Sequence, residues 1–292
     1  MQGLILLDKA AGMTSFSAVS AIKKIYGEKR VGHTGTLDPM ATGVLPVLLG
    51  RATRLCELML QADKRYTAEI LLGTVTDTLD ITGKVLSTND CDITDSEFER
   101  ACASFRGKIE QIPPMYSALK KDGKRLYDLA RQGVEVERES RTVEIKELNV
   151  IEKTGKNRFV IDVLCSKGTY IRSLASDIGA ALGVGATLTE LRRTQTAGYT
   201  ADMCVTLDRL KENPQQYLKE ADTVVSYLPS VTVTENQTRR FLHGGELFCD
   251  RLRLNFAASE GQTVRVYGWN GCFLGLGVFS GEMMKVKCII ME

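Results

Sequence analysis

The sequence lacks the residue patterns that zinc sites require. Its 292 residues include only two histidines, and its eight cysteines occur singly, with no Cys-x-x-Cys pair. Zinc sites are built from cysteine and histidine ligands at short, fixed spacings. The sequence therefore excludes a zinc site of this kind.

The sequence also lacks the loops with which many enzymes bind nucleotides or activate a serine. No segment has the GxxxxGK[ST] order of a phosphate-binding loop, and no GxGxxG motif follows a strand pattern. The GxSxG turn that holds the nucleophile of many hydrolases is absent as well. Enzymes that use nucleoside triphosphates, dinucleotides or a serine triad are therefore disfavoured.

Long apolar runs are missing too. The first ten residues, MQGLILLDKA, contain at most a five-residue apolar run, with no basic lead-in and no small-residue cleavage site. This start is typical of a strand rather than a signal peptide, and no uncharged run approaches membrane-spanning length. Single cysteines without a secretory leader fit a reducing compartment. We predict a cytoplasmic protein with no membrane segment.

A strong charge of either sign is absent. The net charge is +2, with 43% apolar and 25% charged residues, as in ordinary globular proteins. Nucleic-acid-binding domains usually carry a marked excess of positive charge. A polyanionic partner would therefore have to bind a local basic surface.

The hydrophobic patterns change irregularly along the chain. Period-two alternation at residues 66–72 and 159–165 predicts strands. The segment TDSEFERACASF (residues 94–105) predicts a helix that begins with a capping box, and a second helix follows SKGTYIR. Because strands and helices do not alternate regularly, we predict an α+β fold with a mixed, largely antiparallel central sheet and flanking helices.

Two segments differ from the rest of the chain. Residues 106–133 contain two prolines and the basic turn KKDGKR, which predict an excursion from the main fold. Beyond Leu228 and Pro229, short strand patterns separated by glycines predict a small β-rich domain. We therefore predict a main domain at residues 1–228, which includes the excursion, and a second domain at residues 229–292.

The loop GHTGTLDPMATG (residues 32–43) holds one carboxylate, Asp38, among glycines, threonines and a proline. A turn of this kind does not need an aspartate for its bends, so Asp38 is a candidate for chemistry. Together with Asp77 and Asp80 it could form a metal site, or it could be one of the two carboxylates of a glycosidase. Three aspartates without a defined spacing leave both alternatives open.

The segment KGTYIR (residues 167–172) places a cation at a helix start. If Thr169 caps the helix, Arg172 lies at the third helical position, where a positive charge opposes the helix dipole. A carboxylate or a phosphate could compensate for it. With Tyr66 on the apolar face of its strand and Tyr170 beside Arg172, we predict a pocket that stacks a planar base next to an ionised carboxylate.

Seven motifs then occur in the order found in one enzyme family. They are GLILLDKAAGMTS (3–15), GHTGTLDPMATGVLP (32–46), DKRY (63–66), TDTLD (76–80), IPPMYSALKKDGKRLYDLARQG (112–133), CSKGTYIRSLASDIG (165–179) and LRR (191–193). In these motifs the sequence resembles the TruB family, the tRNA pseudouridine synthases that act on uridine 55 of the T-arm. The C-terminal segment resembles the RNA-binding PUA domain that usually follows. One departure is Ala10, where the family commonly has a proline; this loosens a turn without removing a reacting group.

The resemblance implies an isomerase that detaches uracil from its ribose, turns it and rejoins it through carbon, with no cofactor and no metal. Asp38 matches the catalytic aspartate, and Arg172 matches a partner that would lower the pKa of Asp38 by about 1–3 units. Tyr66 matches the base-stacking tyrosine and a candidate proton acceptor. The other implied roles are His33 against the flipped nucleotide, Tyr170 and Leu191 lining the uracil pocket, and Lys9 and Asp80 supporting the site.

The implied partner is the T-arm of tRNA, and we predict that the protein binds it as a monomer. Because phosphates dominate the affinity of RNA-binding proteins, basic side chains should hold the RNA backbone. The candidates are Lys120, Lys121, Lys124 and Arg125 in the excursion, Arg192 and Arg193, and Arg239 and Arg240 in the second domain. Two alternatives are an RNA-binding protein without catalysis and a metal-dependent hydrolase built on the aspartates.

Overall fold

The computed structural model describes residues 1–121 and 123–291, which form eighteen β-strands, eight α-helices and four short 3-10 helices. The strands are β1 (Gly3–Lys9), β2 (Val31–His33), β3 (Thr42–Leu49), β4 (Lys64–Leu72), β5 (Thr74–Thr76), β6 (Val85–Thr88), β7 (Gly107–Gln111), β8 (Lys120–Lys121), β9 (Lys124–Arg125), β10 (Arg141–Gly155), β11 (Arg158–Cys165), β12 (Ala186–Thr196), β13 (Tyr199–Thr200), β14 (Ser230–Thr232), β15 (Leu247–Phe248), β16 (Thr263–Tyr267), β17 (Phe273–Ser280) and β18 (Met283–Ile289). The α-helices are α1 (Ser15–Tyr26), α2 (Cys56–Leu60), α3 (Asp95–Ala103), α4 (Leu126–Arg131), α5 (Ile171–Ala181), α6 (Leu207–Glu212), α7 (Pro214–Tyr217) and α8 (Glu235–Leu242). The 3-10 helices span Gly50–Leu55, Ala201–Met203, Ala221–Val225 and Cys249–Arg251.

The main sheet contains nine strands in the described part of the chain. Seven of them follow the order β1-β3-β12-β4-β11-β10-β7, while β2 pairs with β3 and β13 pairs with β12. The pairings are antiparallel except for that of β12 with β3, which is parallel. The prediction of an α+β fold with a mixed, largely antiparallel central sheet is confirmed.

Alternating side chains build the two central strands. In β4 every second residue from Lys64 to Leu72 is buried, and β11 shows the same alternation. Successive side chains of a strand point to opposite faces, so one face of each strand can pack on the helices. Phe159 of β11 stacks on Phe98 of α3, with the ring centroids 4.0 Å apart. The predicted helix therefore packs against the predicted strand.

Local hydrogen bonds define where the helices begin and end. Thr14 caps α1 by accepting a hydrogen bond from the Ser17 backbone, and the helix ends at Gly27 with φ of 63°, which glycine adopts at low cost. Helix α3 begins with the predicted capping box of Thr94 and Glu97. Among the described residues, no helix is long and apolar enough to cross a lipid bilayer.

The segment predicted as an excursion begins inside the main sheet. Its first strand, β7, pairs with β10 at the sheet edge, and Gln111 lies opposite Arg141. Between these two residues the chain leaves the sheet; we call residues 112–140 the lateral segment. It carries the β8–β9 hairpin and α4. Asp122, in the middle of the predicted KKDGKR turn, lies outside the described residues.

A second sheet of five strands follows the order β14-β16-β17-β18-β15 and uses only residues beyond 229. It packs on the main sheet through an apolar cluster that includes Leu4 and Leu6 of β1 together with Leu276 and Ile290. Arg54 also donates a hydrogen bond to the Ile289 carbonyl at 2.6 Å. The predicted domain boundary near residue 228 stays a prediction, because the two sheets share these contacts.

Candidate active site

The loop that carries Asp38 is held at the residue before and the residue after Asp38, by the side chains of Ser15 and Lys9. The Lys9 ammonium donates to three backbone carbonyls at 2.7 to 3.3 Å, and one of them belongs to Pro39. The Ser15 hydroxyl both donates to the Leu37 carbonyl and accepts from the Leu37 N–H, at 3.1 and 2.9 Å. Residues 37 and 39 are thus both held, and the Asp38 side chain projects from a fixed backbone.

Lys9 and Ala10 account for part of this loop's construction. Lys9 is fully buried, and burial lowers its pKa to about 8, although the nearby Asp38 carboxylate opposes the change. Ala10 supplies one of the three carbonyls that accept from Lys9. A proline has the same carbonyl, so the departure from the family pattern at this position leaves the contact in place.

Asp38 and Arg172 form an ion pair. The Arg172 Nε lies 2.8 Å from one carboxylate oxygen of Asp38, and Nη2 lies 3.0 Å from the other. Arg172 is 3% exposed, whereas the Asp38 side chain is 30% exposed. The arginine is therefore part of the protein interior, whereas the Asp38 side chain keeps partial access to solvent.

The start of α5 differs in detail from the prediction. Tyr170 rather than Thr169 occupies the cap position, so Arg172 is the second helical residue. The Thr169 hydroxyl instead donates to the Ser166 carbonyl at 3.0 Å and closes the preceding turn. The cation still lies in the first turn of the helix, where the helix dipole disfavours it, and Asp38 supplies the compensating anion.

Arg172 has two further hydrogen-bond acceptors and a second ion-pair partner. Its guanidinium donates to the carbonyls of Thr78 and Tyr116, at 2.9 and 2.7 Å, and Nη1 lies 3.6 Å from the Asp80 carboxylate. The guanidinium therefore contacts both carboxylates of the site. This geometry disfavours the metal-dependent hydrolase, because the positive charge that compensates Asp38 and Asp80 is the guanidinium of Arg172. The described ranges contain no group of three or more His, Cys, Asp or Glu side chains placed to hold a metal ion.

Asp80 is held as firmly as Arg172. It is 4% exposed, and one of its oxygens accepts from the hydroxyl of Thr78 at 2.8 Å and from the backbone of Thr82 at 3.0 Å. Asp77, the other carboxylate of TDTLD, instead accepts from the Lys84 backbone on the hairpin of β5 and β6. The structure thus brings Asp80 into the site and leaves Asp77 outside it.

The pKa of Asp38 shifts in the direction opposite to the prediction. Burial raises this pKa above its ordinary value of 3.8, the guanidinium of Arg172 opposes the rise, and the Asp80 carboxylate adds to it. The predicted lowering by Arg172 is present, but the loss of solvent outweighs it. Arg172 therefore limits a rise that burial would otherwise make larger.

Tyr66 lies near Asp38, and both Tyr66 and His33 lie near Arg193. Tyr66 is 6% exposed and belongs to the same apolar cluster as Leu37 and Leu191. Burial raises the pKa of its phenol, and the buried Arg193 guanidinium opposes this. Burial also lowers the pKa of His33, whose Nδ1 has no hydrogen-bond partner in the described part of the chain. His33 is thus a neutral ring with an unused polar atom.

Leu191 and Tyr170 occupy different surroundings. Leu191 is 7% exposed on β12, opposite Ala68 of β4. Tyr170 is half-buried, and the guanidinium of Arg141 lies over its ring, 4.7 Å from the centroid. Tyr170 precedes Arg172 by two residues. It also contacts Gln111 and Arg141, which we call the base of the lateral segment because that segment begins and ends there.

The predicted phosphate contacts fall into three groups. Lys120, Lys121, Lys124 and Arg125 are exposed on the β8–β9 hairpin, beside a cleft of about 640 Å³ that Tyr127 and Arg131 also line. Arg192 is partly exposed and contacts both carboxylate oxygens of Asp8, at 2.9 and 3.0 Å. On α8, Arg239 pairs with Glu235, and Arg240 donates to the Glu246 carbonyl. All four hairpin cations are exposed, although Lys121 donates to the Glu137 carbonyl and Arg125 to the Tyr127 hydroxyl.

The structure contradicts the predicted phosphate contact of Arg193. This residue is 1% exposed, and its guanidinium donates to the carbonyls of Val44 and Gly35, at 2.7 and 3.1 Å. A phosphate cannot reach a guanidinium that is enclosed in this way. Arg193 instead holds the loop of Asp38 through its hydrogen bond to the Gly35 carbonyl, and it lies beside Tyr66.

Several residues that contact the site were not predicted, and Thr78 is one of them. Gln111, Tyr116 and Arg141 touch Tyr170 or Arg172. Tyr116 acts through its backbone carbonyl, which no residue type reveals. The alternation of the strand that ends at Gln111 is the one signal that could have marked a buried glutamine there.

Comparison with known proteins gives a consistent result along the whole chain. Residues 23–171 match the TruB family pseudouridylate synthase N-terminal domain, residues 172–232 the tRNA pseudouridylate synthase B C-terminal domain, and residues 229–285 the C-terminal segment of pseudouridine synthase II TruB. A tRNA pseudouridine synthase B from Azoarcus sp. (strain BH72) is 43% identical over 99% of this chain and 95% of its own. One from Clostridium perfringens (strain ATCC 13124) is 41% identical over the full length of both chains.

Solved structures agree with these relatives. A chain in a Cbf5-Nop10-Gar1 complex has a TM-score of 0.74 and 29% identity, and the match covers 99% of this chain and 85% of that one. A chain of an H/ACA RNP bound to a substrate RNA containing 2'-deoxyuridine has a TM-score of 0.73 and 26% identity, with coverage of 99% and 85%. The fold and the matches define an RNA pseudouridine synthase, which is an isomerase. Within that class, the chain belongs to the TruB family.

Proposed function

We propose that this protein converts uridine 55 in the T-arm of tRNA to pseudouridine, with Asp38 as the catalytic carboxylate. Its full-length relatives carry the name tRNA pseudouridine synthase B. The observation that supports the role of Asp38 best is its partly exposed carboxylate on a fixed loop, paired with a buried arginine. Such a group can meet an RNA substrate on one side while the protein sets its charge and orientation on the other.

The reaction is an isomerisation in which no atom is gained or lost. The bond between C1′ of the ribose and N1 of uracil breaks, the uracil turns, and C5 bonds to C1′. C5 then loses its proton, and N1 carries a proton in the product. A carboxylate at C1′ can attack as a nucleophile or stabilise a cationic sugar. Asp38 is suited to either step when it is ionised, and Arg172 favours the ionised form.

Tyr66 is proposed to stack on the uracil and to assist the loss of the C5 proton. Its ring lies in the apolar cluster with Leu191, which fits a planar, largely apolar surface for the base. The raised pKa of its phenol disfavours the phenolate, and the Arg193 guanidinium beside it favours that form. Stacking needs only the ring, whereas proton transfer needs the hydroxyl, so the two roles are separable.

His33 is proposed to fill the place of the flipped nucleotide. Removing a stacked base from a folded RNA costs a few kcal/mol, which a ring inserted in its place can offset in part. A neutral imidazole suits this role because it stacks without carrying a charge into the RNA, and the pKa of His33 is lowered.

Lys120, Lys121, Lys124 and Arg125 are proposed to hold phosphates. Residues 229–292 are proposed as a second, PUA-like RNA-binding domain.

The test uses an unmodified tRNA transcript with the wild-type protein and with Asp38→Asn. We expect pseudouridine at position 55 with the wild type and none with the variant, while both bind the transcript. The asparagine keeps the size of the side chain and can still accept a hydrogen bond from Arg172. Turnover by Asp38→Asn at the wild-type rate would refute the role of Asp38. Modification at another position would refute the proposed specificity, and binding without any modification by the wild type would favour an RNA-binding protein without catalysis. That the protein is monomeric and cytoplasmic stays a proposal.

A further inference from the structure

The side-chain amide of Gln111 exchanges two hydrogen bonds with a backbone, as paired residues of neighbouring strands do. Its amide oxygen accepts from the N–H of Tyr170 at 2.8 Å, and its amide nitrogen donates to the carbonyl of the same residue at 3.0 Å. Gln111 is fully buried. A planar amide carries one donor side and one acceptor side, so it satisfies both backbone groups of Tyr170 at once.

Arg141 holds the same tyrosine from another direction. It lies opposite Gln111 in the pairing of β7 with β10, and its guanidinium covers the ring of Tyr170, 4.7 Å from the centroid. The guanidinium also donates to the carbonyl of Gly168, in the turn before α5. At the base of the lateral segment, Gln111 therefore binds the backbone of Tyr170 and Arg141 packs on its ring.

The first residues of the lateral segment continue this contact along α5. The hydroxyl of Ser173 donates to the Ile112 carbonyl at 2.9 Å, and Arg172 donates to the Tyr116 carbonyl at 2.7 Å. Three residues at the start of α5, at positions 170, 172 and 173, thus bind residues 111–116. A displacement of the base of the lateral segment would be carried to the start of α5.

We infer that Gln111 is a positioning residue: its paired hydrogen bonds set the backbone of Tyr170, align that ring in the uracil pocket, and tie the pocket to the lateral segment that holds the RNA. The inference rests on the proposed function, in which cations of the lateral segment hold phosphates of the tRNA, and on the role that the family resemblance implies for Tyr170 in lining the uracil pocket. Gln111 does not touch the substrate; it acts through Tyr170. An error of about 1 Å in the position of a substrate-contacting group can lower a rate by about 100-fold.

Gln111→Met is the main variant, because methionine has a similar size and makes neither hydrogen bond. We expect the single-turnover rate of pseudouridine formation to fall by about 10- to 100-fold, while the Kd for tRNA changes by less than about threefold. Gln111→Glu is the conservative variant: burial favours its protonated acid, which can still accept from the Tyr170 N–H and donate to the Tyr170 carbonyl, so its rate should lie between those of methionine and glutamine. Glu110→Met, the exposed neighbour on the other face of β7, is the matched control and should keep the wild-type rate.

A double-mutant cycle with Tyr170→Ala separates positioning from general damage. If Gln111 acts through the Tyr170 ring, the double variant should be no slower than Tyr170→Ala alone. Rate losses that multiply in the double variant would overturn the inference, as would a loss confined to the Kd for tRNA or a wild-type rate for Gln111→Met. Gln111→Leu serves in the same cycle if the methionine variant does not fold, because leucine also makes neither hydrogen bond and adds no charge to this buried position. These outcomes require an active wild type, so they are distinct from failure of the proposed function, in which the wild type forms no pseudouridine at position 55.

Discussion

Arg172→Ala removes the one guanidinium that contacts both Asp38 and Asp80 as well as two backbone carbonyls. Deleting one partner of a buried ion pair costs about 3–5 kcal/mol of folding free energy, because the remaining charge loses its compensation. Each kcal/mol lowers the melting temperature of a chain of this size by about 2 °C. The variant should therefore be measurably less stable and still folded at 25 °C.

The larger effect is expected on the reaction. Without Arg172 the pKa of Asp38, which burial already raises, should rise further by about 1–3 units. A carboxylate is ionised only above its pKa, so the pH at which activity is half lost on acidification should move upward. The transition state also loses a charged hydrogen-bond donor beside Asp38, which lowers the rate by about 100-fold or more. Both effects reduce turnover at neutral pH, and raising the pH should restore only the part caused by protonation.

The assay is single-turnover pseudouridine formation on an unmodified transcript, measured between about pH 5.5 and pH 9 with the tRNA Kd in parallel. Arg158→Ala is the matched control, because it removes an arginine from the ion pair with Glu69 on the same sheet. We expect the control to keep the rate and the pH profile of the wild type. A rate within about threefold of the wild type for Arg172→Ala, with an unshifted acid limb, would refute the reasoning about this pair.

Two further predictions concern the base and the backbone of the RNA. Tyr66→Phe keeps the ring and removes the hydroxyl, so tRNA binding should be unchanged while the single-turnover rate falls by about 100-fold; a wild-type rate would leave Tyr66 with stacking alone. Lys120→Ala combined with Lys124→Ala should weaken tRNA binding and flatten the plot of log Kd against log salt by about 1 to 2 units of slope, since each phosphate contact contributes about 0.7 to 0.9. The control is Lys211→Ala, which removes a lysine paired with Asp208 on α6, and an unchanged salt slope in the double variant would argue against a phosphate-binding hairpin.

Much of the fold could be predicted because its signals are periodic and local. The alternation in β4 and β11 needs only the fact that strand side chains point to opposite faces. The capping box of α3 is a pattern of four residues. The extent of the excursion was harder to predict, because β7 belongs to the main sheet through its pairing with β10, and that pairing is not visible in residues 106–133 alone.

The error at Arg193 has an identifiable cause. The motif LRR gives two adjacent arginines, and a basic pair is usually taken as a solvated, RNA-facing pair. In a strand, however, residues 191 and 193 share a face, so a buried Leu191 places Arg193 inside and Arg192 outside. The alternation was present in the sequence, and the charge of the motif obscured it.

Other parts of the site could not be predicted from residue types. The contacts of Arg172 with the Thr78 and Tyr116 carbonyls are made to the backbone, which is the same at every position. The direction of the Asp38 pKa depends on how much water the fold removes, and only the structure gives that. Sequence motifs therefore predicted which side chains meet at the site and missed several of the backbone groups that hold them.

The apolar cluster between the two sheets has a consequence for how the molecule can be divided. Leu4 and Leu6 lie on the first strand of the main sheet, and Leu276 and Ile290 cover them from the C-terminal sheet. A shortened chain that ended at residue 228 would lose Leu276 and Ile290 from this cluster and expose part of its apolar surface to water. Such a fragment would be prone to self-association, so the C-terminal region helps to shield the rest of the chain from aggregation.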